Sequence, residues 1–280
     1  MKGEIDFKLI EKLLDFEIKG IKNLSIGCDL KVYLIETEKE KYIYKEPKES
    51  IVKIINEKYA LEKLSSLEIP IPRLIYINEK FLIESFIEGE LLKENCSINC
   101  FIELGNYINK IHSIKMNGFG EIIDEKGQYD KEYDYLFSWL DIYNLNNKMF
   151  KNYNIKKIFD ENKGLLQSKN SYFLHGDITY NNIIVYNNKI NGIIDFADSI
   201  CGSIEYDLAL FYIKIKNNKN WEYFLKGYNK KFNEKKFYLY IIAFGIWLIQ
   251  DEIIHEDDIA YQKFLNCIDI FLNSKNKDNN

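Results

Sequence analysis

Residues 173–185 read FLHGDITYNNIIV, so His175, Gly176, Asp177, Asn181 and Asn182 stand together between two apolar runs. A turn needs one or two such residues, and each buried polar group without a partner costs roughly 1–3 kcal/mol. The cluster is therefore either a solvated loop or a site, and the residues that follow discriminate. The continuation NNIIVYNNKINGIIDFADS holds two short apolar runs, 183–186 and 190–194, joined across Asn187-Asn188. Asparagine tolerates turn conformations, so a hairpin is expected. In a hairpin, the residue leading into the first strand and the residue leaving the second lie at the same open end. That end receives Asn182 and Asp195, with Asp177 in the loop that feeds it. One amide oxygen and two carboxylates form a hard-oxygen set suited to Mg²⁺, which takes few protein ligands and leaves room for phosphate oxygens. Asp195 is embedded between Ile193-Ile194 and Phe196, a poor setting for an idle acidic turn.

A second group lies near the start of the chain. Strands expected over 30–36 and 41–46 turn at Thr37 to Glu40, which brings Lys45 back beside Gly27-Cys28-Asp29. A strand-borne lysine next to free backbone amides is a phosphate cradle, although a single glycine makes a poor Gly-rich loop. The next segment, SIVKIINEKYALEKLSS (50–66), has helical periodicity and a serine at its candidate N-cap. Its apolar stripe includes Ile54, Leu61 and Leu64, and Glu57 falls on that stripe by i+3 and i+4 spacing. A carboxylate facing a core needs a cation, and Lys45 on the neighbouring strand is the candidate.

These groups require particular elements to position them. After an opening helix, strands are expected at 21–26, 30–36 and 41–46, then the helix at 50–66, ended by Pro70 and Pro72. Two more strands, 73–77 and 81–86, lead to Glu88-Gly89. Beyond Gly89 the pattern is helical, from 101–114 through 133–168, with the only strands of that half flanking the motif at 173–185. The expected fold is α+β: a sheet-rich lobe over residues 1–86, a connector near 84–90, and a larger helical lobe over 87–280 whose tail frays from 273.

Composition narrows the class. With 280 residues the chain can bury a sizeable core, and 46% hydrophobic with 29% charged residues is ordinary for a soluble globular enzyme. A net charge of −5 argues against nucleic acid as the main partner. Charges interrupt the apolar residues of the first twenty positions, so no signal peptide is expected. The apolar run Phe237 to Ile249 falls short of the roughly 20 residues a membrane span needs and reads as a buried helix. Five cysteines without a secretory signal suggest reduced thiols and a cytoplasmic protein. Cys96 and Cys100 lack the second pair or nearby histidine that would complete a metal site. No obligatory protein partner is evident.

His175-Gly176-Asp177, four intervening residues, Asn182, and then Ile194-Asp195-Phe196 resemble the aminoglycoside phosphotransferase family, with Asp177 and Asp195 18 positions apart. Further marks run along the chain: Lys45, Glu57, IPIPRLI (69–75), ESFIEGE (84–90), INKIHSI (108–114), GFGE (118–121) and EYDLA (205–209). The resemblance implies a protein-kinase-like two-lobed fold, with a small antiparallel-sheet lobe carrying one main helix and a larger, mostly helical lobe. It implies transfer of the γ-phosphate of ATP or GTP to a hydroxyl. In that scheme Asp177 orients and deprotonates the acceptor, while Asn182 and Asp195 hold Mg²⁺ across the phosphates. Lys45, held by Glu57, grips the inner phosphates beside the loop containing Gly27. Backbone groups of Ser85 and Ile87 bind the base, and His175 and Asp207 brace the catalytic loop. Two departures stand out. Ala197 follows Asp-Phe where protein kinases have glycine, and Gly202-Ser203-Ile204 replaces the family's frequent Gly-Asp-Pro. No Ala-Pro-Glu segment of a protein kinase is present, which argues against a protein substrate.

The acceptor is less constrained. Aminoglycosides are polycations, and the family's C-terminal helices help form the acceptor cleft. The stretch QDEIIHEDD, with Asp251, Glu252, Glu256 and Asp257, is a candidate for binding amino groups; a solvated acidic helix end is the alternative. YDKEYDY (129–135) adds to the cationic reading. A metabolic kinase acting on choline, ethanolamine, homoserine or a sugar competes with it. A nucleotide-binding pseudokinase is a third reading, opposed by the functional residue found at every matched catalytic position.

Overall fold

The computed structural model describes residues 7–24, 29–140, 153–250, 253 and 258–277. The first half of the chain builds a five-stranded antiparallel sheet from β1 (Ile18–Asn23), β2 (Leu30–Thr37), β3 (Lys41–Pro47), β4 (Leu74–Ile77) and β5 (Leu82–Ser85). The strand order is β1-β2-β3-β5-β4. The period-2 alternation of strands divides this sheet into two unlike faces. One face is apolar: Ile35, Tyr42, Tyr44 and Ile83 pack with Ile10 and Leu14 of α1 (Phe7–Leu14). On the other face Leu30 and Leu82 meet Ile54 of α2 (Val52–Leu64), and this is the face that carries Lys45. Helix α2 buries Ile54, Leu61 and Leu64, the stripe expected from its periodicity, and it also buries Asn56 and Glu57.

The second half contributes α3 (Ile98–Ile111), α4 (Glu132–Trp139), α5 (Ile155–Glu161), α6 (Ile204–Lys214), α7 (Asn218–Tyr228), α8 (Glu234–Gln250) and α9 (Ile259–Lys277). These surround a core that includes Phe101, Phe173, Phe196, Phe211 and Phe224. Helices α3 and α7 approach so closely that a Cβ on Gly227 would lie 1.8 Å from the Ile102 carbonyl oxygen, so only glycine fits there. The apolar run at 237–249 is the interior of α8, and among the described residues no helix is long and apolar enough to cross a membrane. Helix α9 extends to Lys277, into the stretch expected to fray.

The sequence expectation that only strands flanking the 173–185 motif occur in this half needs correction. Strands β7 (Lys115–Met116), β8 (Phe119–Ile123), β9 (Lys126–Tyr129), β10 (Ser171–Leu174) and β13 (Ile200–Gly202) form a second five-stranded sheet, ordered β7-β10-β13-β8-β9. The strand signal in β8 and β9 is diluted by Gly118, Gly120 and Gly127 and by charges, and two or three residues in β7 and β13 carry no readable period. Likewise, the helical stretch expected over 133–168 contains α4, α5 and a 3-10 turn at Lys163–Leu166 among its described residues. The remaining small sheet, β12-β11-β6, joins β6 (Glu90–Leu91) to the hairpin of β11 (Ile183–Tyr186) and β12 (Lys189–Ile193).

Candidate active site

The hairpin forms as the residue pattern requires. Ile183 pairs with Ile193, and Asn187 and Asn188 take left-handed φ values of 49° and 61° at the turn. Both central residues at positive φ is the two-residue turn that matches strand twist. At the open end the Ile194 N–H donates to the Asn182 carbonyl oxygen at 2.9 Å, which sets Asp195 next to Asn182. Asp195 itself is left-handed, with φ 65° and ψ 66°, and its carboxylate is 44% exposed. The Asn182 amide nitrogen donates to the Asp177 carbonyl oxygen at 2.8 Å and to Asp177 Oδ2 at 2.9 Å. With its nitrogen engaged, Asn182 has its amide oxygen left to offer a cation. Burial raises the Asp177 carboxyl above its ordinary range, and the Asp198 and Asp195 charges push the same way.

The loop carrying Asp177 is held from below. Asp207, in the first turn of α6, accepts from the His175 N–H at 2.8 Å and the Gly176 N–H at 3.0 Å. It also meets His112 Nε2 at 3.0 Å, and His112 Nδ1 meets the Tyr228 hydroxyl at 2.9 Å. All of these side chains are buried, and they tie the ends of α3, α6 and α7 to one carboxylate. The Asp177 N–H donates to His175 Nδ1 at 3.2 Å, so the ring proton sits on Nε2, which donates to the Ile194 carbonyl oxygen at 3.1 Å. Gly176 has φ 85°, and a Cβ there would lie 1.8 Å from the Asp198 carbonyl oxygen; the motif's glycine is a steric requirement. In the sequence His112 stands only within the INKIHSI mark, without a role, and Tyr228 is not singled out. The partners of His112 lie 95 and 116 positions away, and within that segment the local signal is a histidine ending an otherwise apolar helix stripe.

Above the opening, Lys45 is buried with Glu57 Oε1 at 2.6 Å, Glu84 Oε1 at 3.1 Å and Asp195 Oδ1 at 3.7 Å. Burial disfavours the Lys45 charge, but Glu57, Glu84 and Asp195 together outweigh it and hold the ammonium above its ordinary range. Burial also pushes the Glu57 carboxyl up to about 8 against the pull of Lys45, and Glu84 is raised in the same way. The shifts on Lys45 and Glu57 look contradictory for a simple ion pair. Burial is the main cause at Glu57, and the like charges of Glu84 and Asp195 add to it, so one cation facing several carboxylates leaves a proton on a buried one. In the sequence Glu84 falls at the end of the expected strand 81–86 and in the connector, without a role. Its signal was period 2: Lys45 pairs with Leu82, so Glu84 faces the same side of the sheet.

Helix α2 also grips the segment that follows Asp195. Asn56 donates to the carbonyl oxygens of Ala197 at 2.8 Å and Ser199 at 2.7 Å, and Glu57 Oε1 accepts from the Phe196 N–H at 3.3 Å. Lys53 pairs with Asp198 and lies 3.7 Å from Asp29. In the connector, the Ser85 N–H donates to the Arg73 carbonyl oxygen at 2.9 Å and the Phe86 N–H to the Lys41 carbonyl oxygen at 3.2 Å. Gly27, Asp251, Glu252, Glu256 and Asp257 lie outside the described residues. Glu132, in the acidic stretch 129–135, faces inward: it is buried and bound to Lys236 Nζ at 2.8 Å and the Tyr240 hydroxyl at 2.8 Å.

The structure thus brings Lys45, Glu57, Asp177, Asn182 and Asp195 to one opening, with His175 and Asp207 beneath it. Among the described residues no three His, Cys, Asp or Glu side chains are arranged to hold a metal by themselves. The oxygens of Asn182 and Asp195 fit a hard cation that completes its shell with phosphate and water oxygens.

The comparisons agree on the architecture. The chain is similar to the structure of APH(2")-IIa in its streptomycin–ATP ternary complex, at 21% identity and TM-score 0.65, covering 92% of this chain and 93% of that one. It is similar to ADP-bound aminoglycoside phosphotransferase APH(2'')-Ib at 20% identity and TM-score 0.65, covering 96% and 97%. It also resembles aminoglycoside phosphotransferase APH(4)-Ia at 15% identity and TM-score 0.72, covering 95% and 97%. At these identities the likeness establishes the fold, which is protein-kinase-like with an antiparallel-sheet region followed by a helical one. No curated protein sequence matches the chain. The model of the phosphotransferase enzyme family matches residues 20–231, well over half of the chain. The chain therefore belongs to the phosphotransferase enzyme family.

Proposed function

We propose that this small-molecule phosphotransferase moves the γ-phosphoryl group of ATP or GTP to a hydroxyl of a small acceptor. The observation that carries the reading is Asp177. Its carboxylate is oriented by Asn182, mounted on a loop braced by Asp207, and set at the same opening as Asp195 and Lys45. The acceptor oxygen forms a bond to the γ-phosphorus as the bond to the β,γ-bridging oxygen breaks, and the hydroxyl proton passes to the Asp177 carboxylate. Burial makes that carboxylate a better base than a solvated one, which suits this task. Lys45 would grip the inner phosphates, held by Glu57. Asn182 and Asp195 would hold Mg²⁺, which supplies charge neutralisation on the transferring phosphoryl group. The Ser85 carbonyl and the Ile87 N–H would bind the base. Residues 1–86 would form the nucleotide lobe, with Gly27 in its phosphate loop, and residues 87–280 the catalytic and acceptor lobe. Because nucleoside triphosphates are intracellular, the cytoplasm is the fitting compartment.

An aminoglycoside-like cationic acceptor fits best. Asp177, Asp195 and Asp198 impose a negative field on the opening, and proteins of this fold have been captured with streptomycin or hygromycin B and a nucleotide. Asp251, Glu252, Glu256 and Asp257 would extend that field, and phosphorylation of such an antibiotic would confer resistance. Lys214 favours a second reading. It is half-buried within range of the Asp177 charge, and a cation there would disfavour a polycation, choline or ethanolamine and suit a sugar or homoserine. The test is a coupled nucleotide-consumption assay with Mg²⁺ and either ATP or GTP, against aminoglycosides, choline, ethanolamine, homoserine and sugars. Stimulation by an aminoglycoside, with a phosphorylated product by mass, is expected. Stimulation by a small alcohol alone would replace the acceptor, and nucleotide binding without turnover on any acceptor would overturn the enzyme reading.

A further inference from the structure

Lys45 is surrounded by more carboxylate than its charge requires. Glu57 approaches to 2.6 Å, Glu84 to 3.1 Å and Asp195 to 3.7 Å. An ammonium has three N–H donors, so gripping a phosphate means releasing one partner. Asp195 is the farthest of the three and stands 44% exposed at the opening, where the phosphates and metal would sit. Glu57 and Glu84 are buried behind the lysine and arrive from different elements. Glu57 comes on helix α2, and the oxygen it gives Lys45 also accepts from the Phe196 N–H at 3.3 Å. Glu84 comes on β5, hydrogen-bonded directly to the strand that carries Lys45 and registered so that both side chains face one side. The second oxygen of each carboxyl is buried and, among the described residues, receives no N–H or hydroxyl donor, and the two carboxyl groups lie within hydrogen-bonding reach of each other when one is protonated. A second buried carboxylate is costly where one would neutralise the lysine.

Resting on the phosphotransferase reading above, we propose that Glu84 is a second positioning residue for Lys45, holding the ammonium from the sheet while Glu57 holds it from the helix. The lysine is then aimed at the phosphate site by a strand whose geometry does not depend on where α2 sits. Two anchors imply redundancy. Removing either leaves the other in place, and removing both lets the lysine wander. Glutamine is close to isosteric, so the substitutions leave the packing intact.

The experiment compares wild type, Glu57→Gln, Glu84→Gln and the double variant. MgATP dissociation constants, KM, kcat and Tm are measured for each, together with the Lys45 ammonium signal by 15N NMR without nucleotide. Each single variant is expected to lose about tenfold or less in MgATP affinity. The double variant should lose more than the product of the two, since contacting groups are non-additive. A fifth protein, Lys45→Met, should show no further affinity change on adding Glu84→Gln. A double variant no weaker than Glu57→Gln, with Tm the sole quantity that Glu84→Gln moves, would overturn the proposal and leave Glu84 a packing residue. The NMR signal separates the two claims. A wild type that binds no nucleotide, yet keeps the Lys45 signal in either single variant and loses it in the double, sinks the phosphotransferase reading and upholds the anchor. Loss of the signal in Glu57→Gln alone sinks the anchor whatever the nucleotide does.

Discussion

Two buried carboxylate centres lie on opposite sides of the same opening, and they are finished to different degrees. Below it, Asp207 is fully matched: two backbone N–H groups and a histidine ring surround its two oxygens. Above it, Glu57 and Glu84 share one lysine, and among the described residues their second oxygens receive no N–H or hydroxyl donor and face at most each other. A satisfied buried network is scaffolding, since everything it needs is already in the chain. An unsatisfied one retains electrostatic capacity for something that arrives later. By this criterion the brace under His175 and Gly176 completes the fold, and the Lys45 centre keeps surplus negative charge that a ligand can relieve only through Lys45 and the exposed Asp195.

The sharpest way to break that contrast is to remove Asp207. Asp207→Ala orphans two buried N–H donors and a histidine, and a loss of about 3–5 kcal/mol is expected. Thermal denaturation should show Tm falling by about ten degrees. An unchanged Tm would mean the brace is ornamental. Asp195→Ala should behave in the opposite way. It removes a surplus carboxylate beside Lys45, so stability should hardly fall, while MgATP affinity by calorimetry drops at least about tenfold. Unchanged affinity would remove Asp195 from the metal site.

The most gradual effect is a pH dependence. Glu57 is raised from 4.5 to about 8 in the folded chain, chiefly by burial, so the folded state holds its proton more tightly than the unfolded state. The stability this contributes is fully present below about pH 4.5 and is lost as pH rises through about 8. Denaturant midpoints should therefore decline across that window in wild type and flatten in Glu57→Gln. Parallel slopes in the two proteins would show that the surplus charge sits elsewhere.

Legibility in the sequence followed distance along the chain. The Asn182–Asp195 juxtaposition comes from one tight hairpin, and Glu57 from one helical stripe, so residue period and turn chemistry sufficed. The strand carrying Glu84 was readable, but its facing depends on register with β3, which residue types there leave open. Asn56 and Asp207 reach their partners across 141 and 32 positions, contacts that no local period announces. The β8–β9 hairpin was missed because its glycines and charges serve the turn and the packing against Tyr135 rather than a strand pattern. On the acceptor side, Glu132 shows how an acidic run divides once folded, with one member bound in the core and neighbours such as Asp134 exposed to solvent.

The most direct measurement is phosphoryl transfer by Asp177→Ala beside wild type, on whichever acceptor the panel identifies, with MgATP binding followed in parallel. Transfer should fall by about 10²–10⁴-fold, the usual worth of a positioned base, while nucleotide affinity stays within a few-fold. Transfer near the wild-type rate would contradict the assignment of Asp177, and with it the reading of this opening as the place where hydroxyl and phosphate meet.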